Sequence, residues 1–350
     1  MVNAPVTNRA VITEGWIPVA LAEGMGLGSD VLHCWCCDRG ISRPPEVDPD
    51  QGKSVLESCK ITLNNQHLGV SSVAVLLASQ EKRFGSALLF GFLVITFAIT
   101  WGVIGSYIFW PDAMTARFGE ISGAHPFFFL ATWAPAIAAF FSVVLYIGGL
   151  KGVAAFLSRL LLWRLPAPWW GFILIVIPLV YMAGSLIKGG PLLAPLPPEG
   201  IGPVVALMFM MLLLGPIEEF GWRGVAQPLL QRYVAPFWAG ALIGTVWGIW
   251  HLPAFYLAGV VFAEWSFLPF FVGNIVLAIL VTPMFNASRG SLLIPMLFHW
   301  QLINPFWPDA QPYDTWILVG VAAVVVWWNR ETIFTRAGAV TEVIPGEARS

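Results

Sequence analysis

The second part of this chain is a succession of apolar runs, each about twenty residues long, separated by short polar segments. A helix of that length crosses a hydrocarbon core about 30 Å thick, because it rises about 1.5 Å per residue. The pattern therefore predicts eight membrane-spanning helices. They are placed at Ser86–Trp110, Pro126–Gly149, Trp169–Ile187, Ile201–Ile217, Pro236–Leu257, Phe267–Phe285, Leu292–Phe306 and Thr315–Trp328.

The segments on either side lack this pattern. Residues 1–80 show no sustained helical or strand periodicity, so we expect a weakly ordered extension that packs little against the rest. Residues 86–330 are expected to form the membrane domain, followed by a cytoplasmic tail at residues 331–350. Several predicted spans contain Pro or Gly, which lipid tolerates only where neighbouring helices satisfy the freed backbone groups. The predicted fold is thus all-α, a packed polytopic bundle of about eight transmembrane helices.

Composition supports a lipid environment. The chain is 57% hydrophobic and 11% charged, whereas soluble domains average about 45–50% and about 25%. The formal net charge is -2, which provides no basic field for binding nucleic acid. The expected partners are therefore membrane lipids and a membrane-associated peptide or protein, not nucleic acid.

Basic residues in alternate loops predict the orientation, since cytoplasmic loops carry an excess of Lys and Arg. Only Arg117 and Lys188 fall on the opposite side, so both termini should be cytoplasmic in a multi-pass protein of the plasma membrane. The residues on the predicted cytoplasmic side are Lys82, Arg83, Lys151, Arg159, Arg164, Arg223, Arg232, Arg289, Arg330 and Arg336.

One of these loops has the composition of an interfacial helix. In Lys151–Pro168 the arginines Arg159 and Arg164 stand among Leu, Phe and Trp. This pattern predicts a short helix on the inner leaflet, with its cations toward lipid headgroups and its apolar face in the acyl boundary. An ordinary basic loop is the alternative.

Few ionisable residues lie at predicted membrane depth. They are Glu218, Glu219 and Arg223 at the end of the fourth span, His251 late in the fifth and His299 in the seventh. Such residues are costly in lipid, so they usually face the bundle interior and mark a functional site. Burial of each one separately would cost a few kcal/mol. We therefore expect the glutamates and histidines to converge around one polar cavity.

Helical spacing assigns different surroundings to the two glutamates. Glu219 and Arg223 are four residues apart and share a helix face, so they can pair, while Glu218 is turned about 100° away. A carboxylate left free beside an imidazole is suited to general-base catalysis. The alternatives are a structural Glu219–Arg223 pair at a helix end, and core histidines at His251 and His299 that bond to backbone carbonyls.

The order of these residues resembles a known family. The motif E-E-x-x-x-R occupies Glu218–Arg223, an aromatic-x-x-x-His motif occupies Trp247–His251, and His299 follows on a later span. This arrangement is similar to that of the CAAX-protease and bacteriocin-processing family of intramembrane proteases, also called the Abi family. The resemblance covers residues 86–328 and implies an intramembrane endopeptidase that acts on membrane-associated peptides, either prenylated or bacteriocin-like.

Two positions depart from the family pattern. The second motif usually begins with Phe, where this chain has Trp247, a change that keeps an aromatic wall. The third motif usually places Asn or Asp four residues after His299, but that residue is Ile303 and Asn304 comes one later. Because Pro305 disfavours helical geometry at the preceding residue, we expect the helix to end before Asn304 and the amide to turn toward His299. The other nearby amides are Gln301 and Asn286.

The resemblance also implies the role of each residue. Glu218 with His251 would activate a water molecule for attack on a peptide carbonyl, and His299 with Asn304 would stabilise the oxyanion. Glu219 would orient the site through Arg223. No cofactor is expected. The alternative is a zinc ion held by Glu218, His251 and His299, although the motif H-E-x-x-H does not occur in the sequence.

Two other functions fit a membrane protein with buried Glu and His. In a proton-coupled transporter such residues relay protons, although no internal repeat pairs the two halves of this sequence. A non-catalytic scaffold or immunity protein of the same fold would keep the bundle without turnover. Substitution of Glu218 by Gln separates an enzyme from a scaffold, because the enzyme loses turnover while the scaffold keeps binding.

Overall fold

The structure is a computed structural model that describes residues 60–63 and 66–345. Most of the predicted N-terminal extension, residues 1–59, lies outside these residues, as does the end of the predicted tail at 346–350. The strands Lys60–Leu63 and Gln66–Gly69 pair in antiparallel fashion, with Ile61 opposite Leu68. A separate compact unit, Ser86–Glu347, contains the helical bundle.

The described part of the chain beyond this hairpin is built from helices. The α-helices comprise Val70–Phe109, Pro111–Phe118, Pro126–Thr132, Ala134–Ser142, Gly149–Ser158, Ala167–Gly171, Ile177–Lys188, Ile201–Leu214, Glu219–Gly221, Gln227–Gln231, Pro236–Trp250, Phe267–Ala287, Leu293–Leu302, Tyr313–Trp328 and Arg330–Ile333. Irregular helical turns join them, with π-helices at Val143–Gly148, Phe172–Val176 and Trp222–Ala226, and 3₁₀-helices at Arg159–Leu161, Pro216–Glu218, Leu252–Tyr256 and Val261–Glu264. The helical class predicted from the sequence is confirmed.

Fewer helices are long enough to span a membrane than the sequence pattern predicts. Within the described residues, four helical segments are long and apolar enough to cross a membrane, namely Gly85–Phe109, Ala167–Lys188, Ile201–Gln231 and Phe267–Ala287. A fifth span results if the helices on either side of Trp133, which are bent by 51°, are counted as one. The count of eight is therefore not confirmed.

The remaining predicted spans coincide with shorter helices. Pro236–Trp250 has 15 residues and Leu293–Leu302 has 10, so they extend about 22 and about 15 Å at 1.5 Å per residue. Tyr313–Trp328 has 16 residues. Each falls short of the eighteen or more apolar residues that a transmembrane helix requires. A run of apolar residues therefore does not by itself show that the helix it forms is long enough to cross a membrane.

The buried core holds together the helices that carry the ionisable residues. One apolar cluster contains Trp222 and Trp250, both 2% exposed or less, and includes Trp247 and Phe156. Glycines allow the helices to approach closely. A Cβ atom on Gly244 would lie 2.5 Å from Cα of Ile275 in the next helix. Large apolar side chains such as Phe90, Leu150 and Trp328 are exposed on the outer surface, as expected for a protein in contact with lipid.

The segment predicted to lie among lipid headgroups is positioned differently. Gly149–Ser158 is a helix, and Lys151 and Arg164 near its two ends are exposed. Arg159, however, is only 2% exposed and donates to four backbone carbonyls in the protein interior. The prediction that its cation faces headgroups was wrong, because its acceptors come from distant parts of the chain.

Candidate active site

The two glutamates lie where the helix Ile201–Gln231, here called the motif helix, loses its regular α geometry. Pro216 has no N–H and cannot continue the α-helical hydrogen bonds, so the chain forms the 3₁₀ turn Pro216–Glu218. There the Glu218 N–H donates to the Gly215 carbonyl over 3.0 Å. A π-helical stretch, Trp222–Ala226, follows directly. Such irregular turns are frequent at functional sites.

Glu219 is held by two cationic or polar partners. Its Oε1 accepts from Nη1 of Arg223 over 3.1 Å and lies 2.8 Å from Nδ1 of His299. Both glutamates and Arg223 are no more than 3% exposed. The predicted pairing of Glu219 with Arg223 is confirmed. It is part of a buried chain that runs from Arg223 through Glu219 to His299, not an isolated pair.

Glu218 has a partner that the sequence reasoning missed. The indole Nε1–H of Trp247 donates to Oε2 of Glu218 over 2.8 Å, and the guanidinium carbon of Arg223 lies 5.3 Å from the Trp247 ring centroid. The sequence interpretation gave Trp247 only the role of an aromatic wall. The missed signal was the residue type itself, because Trp differs from the family's Phe in carrying a hydrogen-bond donor.

His251 is anchored through one ring nitrogen. Its Nδ1 lies 2.9 Å from the backbone carbonyl of Trp247. A carbonyl oxygen only accepts, so Nδ1 carries the hydrogen and Nε2 of the neutral ring has a free lone pair. The imidazole is surrounded by aromatic rings, with centroid distances of 4.7 Å to Trp250, 5.0 Å to Phe270 and 5.5 Å to Phe262. These rings restrict its orientation.

Glu218, His251 and His299 line one cavity of about 650 Å³, together with Trp247 and Asn304. Most of the remaining wall is apolar and includes Ile104, Phe128, Met210, Met211 and Leu214. The expectation of a polar cavity lined by all four groups needs two corrections. The cavity is mainly apolar, and Glu219 lies behind His299 instead of on the wall. Glu219 can therefore orient His299 but does not face the space that a substrate would occupy.

Close packing fixes His299 in this position. His299 is 5% exposed and belongs to the helix Leu293–Leu302. A Cβ atom on Gly215 would lie 2.6 Å from Nε2 of His299 and 2.7 Å from Cδ1 of Ile303. Only glycine therefore fits between the motif helix and this imidazole.

Asn304 lies just beyond the helix that carries His299. That helix ends at Leu302, and Asn304 is in non-helical backbone. Its Nδ2 donates to Oε1 of Gln301 over 3.2 Å, while its Oδ1 accepts the N–H of Phe306 over 3.0 Å. The structure places Asn304 on the cavity wall, but these two bonds connect it to its own turn and not to His299. One N–H of its amide group is left for another acceptor.

The other amides differ in their access to the cavity. Asn286 exchanges hydrogen bonds with Gln231 and accepts the Val340 N–H, and it is not among the cavity residues, so it cannot replace Asn304. Gln301 is also not among the lining residues. Asn274, which the sequence analysis did not consider, does line the cavity and donates to the Phe270 carbonyl over 2.9 Å.

The side chains around the cavity include potential metal ligands. Within the described part of the chain, no three or more His, Cys, Asp or Glu side chains are grouped in a way that would hold a metal ion. Glu218, His251 and His299 share the cavity wall. One donor atom of each is engaged, by the indole N–H of Trp247, the Trp247 carbonyl and the Glu219 carboxylate, respectively. Whether zinc binds at Glu218, His251 and His299 is a question for metal analysis of the purified protein.

Comparison with known proteins agrees with the motif arrangement. Residues 200–303 match the family described as type II CAAX prenyl endopeptidase Rce1-like. CAAX prenyl protease 2 of Methanococcus maripaludis is 30% identical over 146 residues, which cover 38% of this chain and 54% of the relative. The chain thus spans about half the length of the curated relative that it matches.

The matched region contains most of the residues that the sequence predicted for the site. Glu218, Trp247, His251 and His299 all lie within residues 200–303, whereas Asn304 is one residue beyond them. The helices of the bundle and this match together identify a membrane protein. The resemblance that the ordered motifs indicate is therefore confirmed, because residues 200–303 are similar to the type II CAAX prenyl endopeptidase Rce1-like family.

Proposed function

We propose that this chain is an intramembrane endopeptidase that hydrolyses peptide bonds of membrane-associated substrates with a water molecule activated by Glu218 and His251. The observation that carries the proposal is the convergence of Glu218, His251 and His299 on one mainly apolar cavity. Nδ1 of each imidazole is held by an acceptor. In each ring, Nε2 is then the atom available for chemistry.

The first step is attack by water. Trp247 occupies Oε2 of Glu218, which leaves Oε1 to accept a proton from a water molecule. Nε2 of the neutral His251 is a second acceptor that can orient the same water. The water oxygen forms a bond to the peptide carbonyl carbon, and its proton passes to Glu218 or His251. That proton is then delivered to the leaving nitrogen as the C–N bond breaks, so the products are a carboxylate and an amine.

The second requirement is a donor for the negative charge that develops on the carbonyl oxygen. His299 donates from Nε2 when both of its ring nitrogens carry hydrogen, and Glu219 holds the imidazole in place through Nδ1. Arg223 in turn fixes Glu219. Asn304 contributes the second N–H of its amide. Each donor aimed at an oxyanion in a dry site is worth about 2.7–4 kcal/mol.

The cavity walls indicate the class of substrate. Apolar side chains, with methionines among them, provide an adaptable surface for an apolar peptide segment or a lipid group. The relative from Methanococcus maripaludis is named a CAAX prenyl protease, which makes a prenylated carboxyl-terminal peptide the first substrate to try. Peptides of the bacteriocin type are the alternative within the proposal.

The proposal includes a location and a mechanism that needs no metal. A multi-pass plasma membrane protein with both termini cytoplasmic is supported by the basic loop residues. Elemental analysis of protein purified without added zinc, together with turnover before and after chelation, tests metal dependence. One zinc per chain and loss of turnover on chelation would favour a zinc site at Glu218, His251 and His299.

The activity is tested with purified protein in lipid vesicles. A farnesylated peptide with a carboxyl-terminal CAAX sequence and its unmodified counterpart are incubated with the wild type, and new carboxyl ends are identified by mass spectrometry. Glu218→Gln should abolish product formation, because the amide cannot accept the proton. Glu199→Gln, at an exposed glutamate outside the cavity, is the matched control and should keep full turnover. A Glu218→Gln variant that retains turnover would contradict the proposal, and binding without turnover in the wild type would favour the scaffold.

A further inference from the structure

Two carbonyl oxygens of the motif helix, those of Arg223 and Gly224, cannot find their ordinary helical donors. In the π-helical stretch Trp222–Ala226, the Gln227 N–H donates to the carbonyl five residues earlier, so it is not available to Arg223. The Gly224 carbonyl would accept from the N–H of residue 228 in an α-helix. Residue 228 is Pro228, which has no N–H. Both carbonyls belong to buried residues and need donors from elsewhere.

Arg159 supplies these donors. Its Nη2 donates to the Arg223 carbonyl over 3.2 Å, and its Nη1 donates to the Gly224 carbonyl over 2.8 Å. The same guanidinium reaches two further segments, with Nε donating to Gly290 over 2.7 Å and Nη1 to Val343 over 2.9 Å. A planar guanidinium with five N–H donors in fixed directions suits such a set of carbonyls.

Contacts with neighbouring aromatic side chains fix the position of Arg159. A Cβ atom on Gly224 would lie 2.6 Å from Cζ of Phe156, one turn before Arg159, so the two segments are in direct contact. The guanidinium carbon lies 5.6 Å from the Phe156 ring centroid and 5.5 Å from that of Phe285. Burial lowers the pKa of Arg159 to about 9, which leaves the side chain protonated at neutral pH.

Arg223 connects this interaction to the site. Its backbone carbonyl accepts from Arg159, while its side chain donates to Glu219. Glu219 in turn holds Nδ1 of His299. A shift in the backbone of Arg223 would therefore be passed through one carboxylate to the imidazole on the cavity wall.

We propose that Arg159 is a positioning residue for this site. By donating to the carbonyls of Arg223 and Gly224, which the π-helical register and Pro228 respectively leave without their α-helical donors, it holds the π-helical turn in the register that aligns Glu219 with His299. This inference rests on the proposed endopeptidase activity for its kinetic test. Arg159 is not among the cavity-lining residues and acts only through Arg223.

The test is a rescue experiment. Arg159→Met keeps most of the aliphatic stem between its aromatic neighbours and removes every N–H donor. It should lower kcat about 10- to 100-fold, since a misplacement of about 1 Å can cost 10²-fold, with KM changed less than about twofold. Pro228→Ala restores an N–H at residue 228 and should recover most of the lost kcat in the Arg159→Met background. The control is Arg164→Met, because Arg164 is an exposed arginine of the same segment.

Each outcome decides the question. Unchanged kcat in Arg159→Met would overturn the proposal, and so would a loss of kcat that Pro228→Ala does not reduce. If Arg159→Met fails to fold, the double variant is tested for folding by thermal unfolding in detergent, and only its recovery supports the proposal.

If the chain is not an endopeptidase, the wild type and Glu218→Gln will both lack turnover, which distinguishes this failure from a failure of the role assigned to Arg159. In that case the thermal unfolding midpoints test the role of Arg159. Pro228→Ala should raise the midpoint more in the Arg159→Met background than in the wild type, and equal shifts would contradict the role assigned to Arg159.

Discussion

Trp247→Phe separates the two roles of this residue, the aromatic wall and the indole donor. Phe keeps an aromatic ring in the cavity wall and removes the N–H that lies 2.8 Å from Oε2 of Glu218. Both side chains are buried, with exposures of 4% and 3%, so water cannot easily replace the lost donor. A hydrogen bond to a charged group contributes about 1.5–3 kcal/mol. If that bond aligns the carboxylate for proton transfer, kcat should fall about 10- to 150-fold.

The assay is peptide hydrolysis in lipid vesicles, with kcat and KM measured separately. Trp250→Phe is the matched control, because Trp250 also lines the cavity but donates its N–H to the hydroxyl of Thr100 over 2.8 Å. Both substitutions lose a similar volume, and both should lower the thermal midpoint by a similar amount. Only Trp247→Phe should lose kcat by more than tenfold. Equal kcat values in the two variants would refute the idea that the indole donor aligns Glu218.

Three further substitutions test the packing and polar groups of the site. Gly215→Ala should abolish turnover, because the new Cβ would lie 2.6 Å from Nε2 of His299. The control is Gly202→Ala, which should stay active because Gly202 has open space around it. Gly244→Ala should lower the thermal unfolding midpoint in detergent, because its Cβ would lie 2.5 Å from the backbone of the neighbouring helix. A midpoint within about 1–2 degrees of that of Gly202→Ala would contradict this packing. Asn304→Ala should lower kcat by about 10²–10³ if the amide donates to the oxyanion, whereas a loss of stability with normal kcat would limit Asn304 to its turn.

Local spacing in the sequence was sufficient to predict several features of the bundle and the site. Each predicted span contains at least one helix, and the four-residue interval between Glu219 and Arg223 correctly predicted their pairing. The high cost of isolated ionisable groups in lipid predicted that both glutamates and both histidines would line one cavity. This is correct for Glu218, His251 and His299 and wrong for Glu219, which is not on the cavity wall. These predictions depend on periodicity and on burial energy, and both can be read from residue types.

Features that depend on distant parts of the chain could not be predicted in this way. The segment around Arg159 has the composition of an interfacial helix, but the carbonyls that accept from this arginine are 64 to 184 residues away in sequence. The helices Pro236–Trp250 and Leu293–Leu302 are shorter than the apolar runs that predicted them, because hydropathy does not mark where a helix gives way to a turn. The end of the helix before Asn304 followed from Pro305, but the bond from the Asn304 amide to Gln301 required the three-dimensional structure.

The central claim is that Glu218 acts in peptide hydrolysis within the membrane, and the most direct test is a comparison of membrane peptidomes. Membranes that contain the wild type, Glu218→Gln or Glu199→Gln at equal abundance are incubated, and the carboxyl ends of released peptides are identified by mass spectrometry. The account predicts a set of new carboxyl ends that is shared by the wild type and Glu199→Gln and disappears in Glu218→Gln. Identical peptidomes for all three proteins would contradict it.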